Sequence, residues 1–300
     1  MKHPLVVWPL RAAVILSVYW LVKHHEWVQL WIDSLWEACK GAVLFRTVYF
    51  ETLWTTFVFA VLMMFPKLFN RIRLFDRFKI DSRVGFEPHP KVFYLIETVI
   101  YIAPLALLDT FMVKRYAGAT LEDILWRESM LIQRTRALPT KAPSVFAMVL
   151  HISVAIVIFD ALFFAFHFTL HHVPWLYRRV HSFHHSHKQG LHPWVTNQLT
   201  VVERVTLILT ANFALKLQGA HPLTRAFFVP VFIWLLIENH FNYDFPWSYD
   251  KLAPWGLMGG SRHHQLHHQK LNCNYQPFFT YLDWMADRLM ARRKEEKLIE

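Results

Sequence analysis

Three clusters of histidines constrain this chain more than any other feature. Within each cluster the histidines stand three or four positions apart, and such positions share one side of an α-helix. Each cluster also follows an apolar stretch long enough to enter a bilayer. We therefore expect each cluster to aim two or three imidazoles at one point, as metal ligands do. The clusters are His167 and His171; His181, His184 and His185; and His264, His267 and His268.

Eight imidazoles exceed the needs of one metal ion and match two. Neutral imidazole binds iron, zinc, copper and nickel, so the ligand type alone does not select the metal. A structural zinc site takes about four ligands. The zinc-protease pattern HExxH is missing, since Gln29 stands where the second histidine should follow His25-Glu26. The excess of ligands favours a redox pair, above all iron that activates dioxygen, over hydrogen-bonded core histidines.

The composition is that of a membrane protein. Of the 300 residues, 54% are hydrophobic and 16% aromatic, and the mean hydropathy is +0.22. An ordinary soluble domain of this length is less apolar. We expect an all-α membrane protein, a bundle of transmembrane helices with a cytosolic histidine-rich cap that holds two metals. The two cysteines, Cys39 and Cys273, form no disulfide framework and indicate a reducing compartment.

Apolar runs of about 20 residues predict the membrane spans. Two shorter runs, Leu199–Leu217 and Thr224–His240, predict a hairpin that enters the membrane and returns, which brings all histidine clusters to one side. Leu5–Val22, interrupted by Arg11, is interpreted as an anchor or an interfacial helix. The three longer runs are Val43–Phe65, Val92–Val113 and Val145–Leu170.

Positive charge is concentrated in loops. The formal net charge is +10, and cations cluster between Lys67 and Lys91 and in the tail from Arg288 to Lys297. The positive-inside rule predicts that both segments, and with them the histidines and the C-terminus, are cytosolic. The loop Lys114–Lys141 is also basic, although the count of three spans places it on the opposite side. Cations that flank apolar spans contact anionic lipids, which argues against a nucleic-acid partner.

These patterns divide the chain into three parts. Residues 1–140 supply membrane-anchoring helices and basic loops, residues 141–290 carry the two-metal domain, and residues 291–300 form a charged cytosolic tail. All eight clustered histidines fall in the second part, so we expect the chemistry there.

The order HxxxH, HxxHH, HxxHH, with an apolar hairpin before the last box, resembles the membrane fatty acid hydroxylase/sterol desaturase superfamily. The similarity extends over about Val145 to Leu289. Other segments resemble the cholesterol 25-hydroxylase branch of this superfamily. They are His171–Tyr177, Glu238–His240, Tyr243–Ser248, the pair Gly259-Gly260, and Asn274–Thr280.

The resemblance implies a non-haem di-iron monooxygenase with two iron ions, which hydroxylates a sterol side chain in the endoplasmic reticulum membrane, within sterol metabolism or biosynthesis. A sterol desaturase or sterol C-4 methyl oxidase of the same superfamily is the alternative. A metal-dependent sterol-binding protein without catalysis is an alternative of another class. Because the chain has no Gly-rich dinucleotide fingerprint, its electrons come from elsewhere. The resemblance implies a cytochrome b-type carrier and an NAD(P)H-dependent reductase.

Further residues join the expected site. The resemblance suggests that His240, at the end of the hairpin, is a ninth ligand or lies behind the ligands with Glu238 and Asn239. Asp160 stands seven residues before His167, on the same helix face, and we expect it to accept the second ring N–H of a ligand histidine. Aromatic residues of the spans form the expected substrate pocket. They are Phe164, Phe168, Trp194, Phe232 and Trp234.

Overall fold

The computed structural model describes residues 4–86, 91–186 and 190–289, so the predicted tail 291–300 lies outside the described residues. The all-α fold is confirmed, because the described ranges contain helices and three isolated β-bridges but no strand. Within these ranges, four helices are long and apolar enough to cross a membrane, as expected of a multi-pass membrane protein. They are Val6–Lys23, Phe50–Arg71, Val145–His172 and Pro222–Asn239.

The helices are connected by turns and by loops of different lengths. The α-helices are α1 (Pro4–Lys23), α2 (His25–Gly41), α3 (Val43–Arg46), α4 (Phe50–Leu62), α5 (Met64–Arg71), α6 (Lys91–Phe111), α7 (Leu121–Glu128), α8 (Val145–His172), α9 (Pro174–Leu176), α10 (Val201–Leu217), α11 (Pro222–Asn239), α12 (Tyr249–Leu252) and α13 (Gly260–Lys270). Short 3₁₀-helices cover Arg73–Phe78, His184–Ser186, Pro193–Asn197 and Pro254–Gly256, a π-helix covers Tyr177–His181, and a last helix covers 281–289.

The centre of the bundle is formed by α8, α10 and α11. Ala155 of α8 and Ala214 of α10 are completely buried, and small side chains let two helices approach closely. Phe159 and Phe232 fill the space beside them and pack edge to face, with ring centroids 4.6 Å apart. α10 and α11 form the predicted hairpin, and Pro222 begins α11 at a position that needs no amide hydrogen.

The bundle has two distinct ends. The histidine end is where α8 and α11 finish and α10 begins. The basic segment after α5 lies there, because Ile80 donates a backbone hydrogen bond to Asn242 just past α11, at 2.9 Å. The opposite end carries the loop of residues 114–141, since His221 at the tip of the hairpin contacts the carbonyl of Lys141 at 3.1 Å.

The helix α1 runs along the bundle from one end to the other. At the histidine end, Arg11 donates to the carbonyls of Lys251 and Ala253 at 2.9 to 3.1 Å. Toward the opposite end, Leu21 packs on a core cluster that includes Trp36. The guanidinium that interrupts the apolar run therefore donates its hydrogen bonds to backbone carbonyls of the folded chain.

The first predicted span begins later than expected. The helix is broken between Arg46 and Phe50, where Val48 donates to the carbonyl of Arg134 at 3.3 Å and the amide of Arg136 donates to Arg46 at 3.0 Å. Pairing with residues 134–136 holds this stretch extended and stops the helix. The span is Phe50–Arg71. The bounds of α6 agree with the predicted run Val92–Val113 to within two residues, but α6 is not among the four candidate spans, and its part Thr98–Phe111 counts as a shorter apolar helix.

Candidate metal centre

Nine histidines form two groups at the histidine end of the bundle. In each group one nitrogen per ring lies within 4.8 Å of all the others, and eight of the nine residues are buried. Both groups are therefore able to hold a metal ion. All nine histidines predicted as ligands belong to these groups. The five-histidine group is His167, His171, His181, His185 and His267, and the four-histidine group is His184, His240, His264 and His268.

The second and third boxes each divide between the two groups. In the third box, His264 and His268 stay together, while His267 belongs to the other group. The second box divides in the same way, with His184 apart from its two partners. Our expectation that each box aims at one point is therefore wrong for these boxes. On a helix with 3.6 residues per turn, positions i+3 and i+4 point about 100° apart, so one box reaches two neighbouring centres.

The imidazoles of the five-histidine group converge through their Nε2 atoms. His167 and His267 each donate the Nδ1 hydrogen to a carbonyl, that of Tyr275 at 2.6 Å and that of Cys273 at 2.7 Å. Their Nε2 atoms then carry lone pairs, yet they lie 3.1 Å apart, and neither can donate to the other. Two nitrogens bound to one metal ion at about 2.1 Å and at right angles are about 3.0 Å apart. This group fits a cation.

The four-histidine group is organised in the same manner. Nε2 of His264 lies 3.0 Å from Nε2 of His240 and 3.2 Å from Nε2 of His268. Two of the outer nitrogens contact backbone carbonyls, with Nδ1 of His240 on the Leu236 carbonyl at 2.9 Å. The carbonyl of Gln198 holds His184 at 3.3 Å. Carbonyls behind the rings fix which nitrogen is free to bind a metal.

The environment keeps these imidazoles neutral. Burial, followed by the neighbouring histidines, lowers the pKa of His264, His267 and His268 well below the usual value. The neutral ring is the form that binds a metal. The two groups are therefore in the ligating state throughout the physiological pH range.

A π-turn brings the second box against the first. After α8 and α9 the backbone widens at Tyr177–His181, where Ser182 donates to the carbonyl five residues back, that of Tyr177, at 2.8 Å. Single π-turns inside helices occur often at functional sites. This one places His181 so that its Nε2 lies 2.9 Å from the Nε2 atoms of its three neighbours, His167, His171 and His185.

Glu203 is a carboxylate behind the ligands that the sequence analysis missed. Its Oε1 accepts the Nδ1 hydrogen of His181 at 2.5 Å, and both residues are buried. Its Oε2 accepts from the backbone amide and the hydroxyl of Thr200, each at 2.9 Å, in a capping box at the start of α10. The signal was available in the sequence, since Thr200-x-x-Glu203 is the capping-box pattern. A charge at the start of an apolar hairpin also suggests function.

Comparisons with known proteins agree with this geometry. The Fatty acid hydroxylase family profile matches residues 152–287. Cholesterol 25-hydroxylase of Homo sapiens is 31% identical over 266 residues, which are 85% of this chain and 89% of that protein. The chain belongs to the fatty acid hydroxylase family. Its relatives include cholesterol 25-hydroxylase of Rattus norvegicus, 28% identical over 90% of this chain and 86% of that protein, and a cholesterol 25-hydroxylase-like protein of Danio rerio, 29% identical over 83% and 91%.

Membership of the hydroxylase family makes the chain an oxidoreductase. No solved structure matches this chain significantly. The family profile covers both histidine groups, since it begins before His167 and ends after His268.

The carboxylate of Asp160 is hydrogen-bonded to a loop rather than to a ligand histidine. The carboxylate accepts from the side-chain amide of Gln276 and from the backbone amides of Phe278 and Phe279, at 2.6 and 3.2 Å. The predicted bond to a ligand histidine is therefore wrong, because seven residues of helix put about 10 Å between Asp160 and His167. The loop that Asp160 holds nevertheless begins next to Tyr275, whose carbonyl orients His167.

Glu238 and Asn239 hold the chain that follows α11. Glu238 accepts from the backbone amide of Tyr249 at 3.1 Å. Asn239 donates to the carbonyl of Pro277 at 2.6 Å and accepts from the hydroxyl of Tyr249. These hydrogen bonds fix loops and do not reach the ring of His240. Glu238 and Asn239 therefore support His240 only through the backbone that connects the three residues.

A cavity of about 690 Å³ lies inside the bundle among α4, α6, α8, α10 and α11. Its volume is in the range of small-molecule sites, about 300 to 1,000 Å³. Of the five aromatic residues expected in a substrate pocket, Phe232 lines this cavity. The other four do not line it, because the sequence does not show which face of a helix meets the cavity. Phe164 packs on Phe168, Trp194 on Phe59 and Trp234 on Phe241.

Proposed function

We propose that this chain is a membrane-bound di-iron monooxygenase that hydroxylates the side chain of a sterol. The observation that carries the proposal is that the two histidine groups lie about one helical turn beyond the residues that line an apolar cavity. The similarity to cholesterol 25-hydroxylases supports the sterol as the substrate class.

Three helices lead from the cavity to the histidine groups. On each helix a residue that lines the cavity stands four or five positions, about one turn, from a residue of the site. A molecule that fills the cavity therefore ends about one helical turn from the metal ligands. The pairs are Leu162 and His167 on α8, Leu207 and Glu203 on α10, and Leu236 and His240 on α11.

Nine histidines fit two irons better than they fit zinc, which takes four ligands in structural sites and three in catalytic ones. When bound, the irons supply the activation of dioxygen. The protein holds the rings from behind, through backbone carbonyls and through Glu203, so that the Nε2 atoms keep their positions. The apolar lining excludes water and fixes which substrate carbon reaches the centre.

The balance of the reaction requires an external reductant. One dioxygen, two electrons and two protons convert a C–H bond to C–OH and release one water. We propose that a cytochrome b-type carrier, reduced by an NAD(P)H-dependent reductase, delivers the electrons at the cytosolic face of the endoplasmic reticulum. The basic segment after α5, which lies at the histidine end, would attract an acidic carrier.

Isotopic labelling of the product tests the proposal. Membranes that contain the chain should convert cholesterol to a side-chain alcohol, and labelled dioxygen but not labelled water should label the hydroxyl oxygen. His184→Ala and His267→Ala each remove a ligand from one group, so each should abolish turnover and lower the metal content from about two irons per chain. His172→Ala, beside a ligand but outside both groups, is the control and should retain activity.

Two outcomes would contradict the proposal. A product that has lost two hydrogens and gained no oxygen would make the chain a desaturase. Full activity with zinc and no iron would remove the di-iron assignment.

A further inference from the structure

The cavity ends in a cluster of charges at its other end, far from the histidines. Arg225 donates to the two carboxylate oxygens of Glu51 at 2.9 and 2.8 Å. Lys114 lies 3.2 Å from Glu51 and 2.5 Å from Asp109, and the guanidinium of Arg136 approaches Glu51 from outside the cavity at 3.5 Å. The side chains of Glu51 and Lys114 are only 15% and 19% exposed. An apolar cavity thus has one strongly polar end.

The cluster has hydrogen-bonding capacity that its own members do not use. Among the described residues, Arg225 makes its hydrogen bonds through Nε and Nη2, which leaves the Nη1 amine. Lys114 has three ammonium hydrogens and two acceptors, Glu51 and Asp109. Both cations line the cavity. Although burial opposes it, the charges of Glu51 and Asp109 raise the pKa of Lys114, so the ammonium stays a donor.

The polar end complements a single hydroxyl group. The oxygen of a hydroxyl group can accept a hydrogen bond from Lys114 or Arg225. The hydroxyl can in turn donate its hydrogen to the carboxylate of Asp109 or to the amide oxygen of Asn212. All four residues line the cavity. With Arg136, which approaches from outside the cavity, three cations face the carboxylates of Glu51 and Asp109, so a group with an exposed lone pair is attracted.

The length of the cavity fits a molecule with its polar group at one end. Both Arg225 at the polar end and Leu236 near the histidines line the cavity on α11. Eleven residues of helix separate them, about 16 Å. A sterol that spans this distance has its hydroxyl in the cluster and its side chain beside the metal ligands.

We propose, resting on the function proposed above, that the cluster of Glu51, Asp109, Lys114 and Arg225 is the site that binds the sterol 3-hydroxyl and thereby selects the side chain for oxidation. The cluster lies at the opposite end of the bundle, near the membrane surface that faces away from the histidines. A sterol of that leaflet already has its hydroxyl at this surface and its tail toward the bilayer centre. It enters the cavity without turning over.

Competition binding tests the site without relying on catalysis. The purified full chain in lipid nanodiscs is incubated with tritiated cholesterol, which is displaced by cholesterol, by 5-cholestene without the 3-hydroxyl, by cholesterol 3-methyl ether, or by oleic acid. Cholesterol should compete at least about tenfold better than 5-cholestene, the usual effect of a hydrogen bond to a charged group. The methyl ether, which lacks the donated hydrogen and is bulkier, should rank below cholesterol.

Two variants locate the effect. Lys114→Met removes one of the two donors and should reduce the preference for cholesterol over 5-cholestene, with Arg225 left as the remaining donor. Lys141→Met removes an exposed cation of the same loop and should leave the preference unchanged. The comparison of ligands on the unaltered protein decides the question even if Lys114→Met folds poorly.

Equal competition by cholesterol and 5-cholestene on the unaltered protein would overturn this inference and leave the proposed hydroxylase standing, provided that cholesterol is still turned over. Failure of cholesterol to bind or to be turned over, with displacement by oleic acid alone, would overturn the proposed function as well.

Discussion

At the scale of single residues, Glu203 connects the metal centre to the fold. One carboxylate oxygen holds the ring of His181, and the other caps the first turn of α10 through Thr200. His181 in turn lies 2.9 Å from three other Nε2 atoms. A change at Glu203 is therefore expected to disturb both the helix and the ligand.

Variants of Glu203 separate these two roles. Glu203→Ala removes the acceptor for His181 and should weaken metal binding about 10- to 100-fold, the usual effect of losing a partner behind a ligand. Glu203→Gln keeps one acceptor oxygen and should recover most of that affinity. Titration of the metal-depleted protein with ferrous iron measures both changes.

The control for Glu203 is Thr200→Ala. It removes the helix cap at a cost of about 1 kcal/mol and leaves the carboxylate on His181, so the metal affinity should change little. Equal losses of metal affinity in Thr200→Ala and Glu203→Ala would mean that Glu203 acts only through the helix cap.

At the scale of elements, Asp160 fixes the segment after α13 to the middle of α8. The carboxylate receives three donors from this segment, and Asp283 receives the amides of Tyr275 and Gln276 at 2.6 and 3.0 Å. The segment is thus held from both sides. Its Tyr275 carbonyl is the acceptor that orients His167.

Substitution of Asp160 should loosen this segment and, through it, a ligand. Asp160→Ala leaves two buried donors and one partly buried donor without an acceptor, and the loss of a buried donor's partner costs about 1 to 3 kcal/mol. We expect a lower melting temperature in detergent together with a lower metal content.

Asp160→Asn is a graded comparison for this experiment. The variant keeps the oxygen that accepts from the amides of Phe278 and Phe279. Its new NH₂ group, however, faces the NH₂ group of Gln276, and two donors cannot bond each other. The Gln276 amide cannot simply turn over, because its oxygen accepts from the amide of Leu282 at 2.8 Å. Asp160→Asn should lose less stability than Asp160→Ala. Unchanged melting of both variants would contradict the role of the segment.

At the scale of the whole molecule, the basic loop 114–141 lies at the end of the bundle opposite the histidines. Four of its six cations form ion pairs within the described fold. Arg127 pairs with Asp123 at 2.5 Å, Arg115 with Glu128, and Lys114 and Arg136 with Glu51. The positive-inside rule counts Lys and Arg near the spans and gives their acidic partners little weight, so it favours the cytosol for this loop although the fold places the loop away from the histidine end.

Cysteine labelling tests this sidedness. In a background of Cys39→Ser and Cys273→Ser, Arg73→Cys lies after α5 at the histidine end, and Glu122→Cys lies in the loop at the opposite end. A membrane-impermeant maleimide should label Arg73→Cys in sealed microsomes and Glu122→Cys only after permeabilisation. The reverse pattern would contradict electron delivery from the cytosol, and labelling of both in sealed vesicles would contradict a bundle that crosses the membrane.

The sequence by itself determined the features that depend on local spacing. The long apolar runs became α8 and the α10–α11 hairpin, since about 20 apolar residues have few stable alternatives in a membrane. The spacing of three and four positions identified eight of the nine members of the two groups. Family resemblance added the ninth, His240.

Only the tertiary structure decided how these parts meet. The sequence does not show that His184 and His267 cross to the other group, because their partners come from distant helices. Asp160 shares a helix face with His167, yet it bonds Gln276, 116 positions away. Glu51 and Arg225, 174 positions apart, likewise form one end of a cavity that no periodic pattern marks. Spacing along a helix fixes the direction of a side chain, whereas its partner depends on which helix packs against that face.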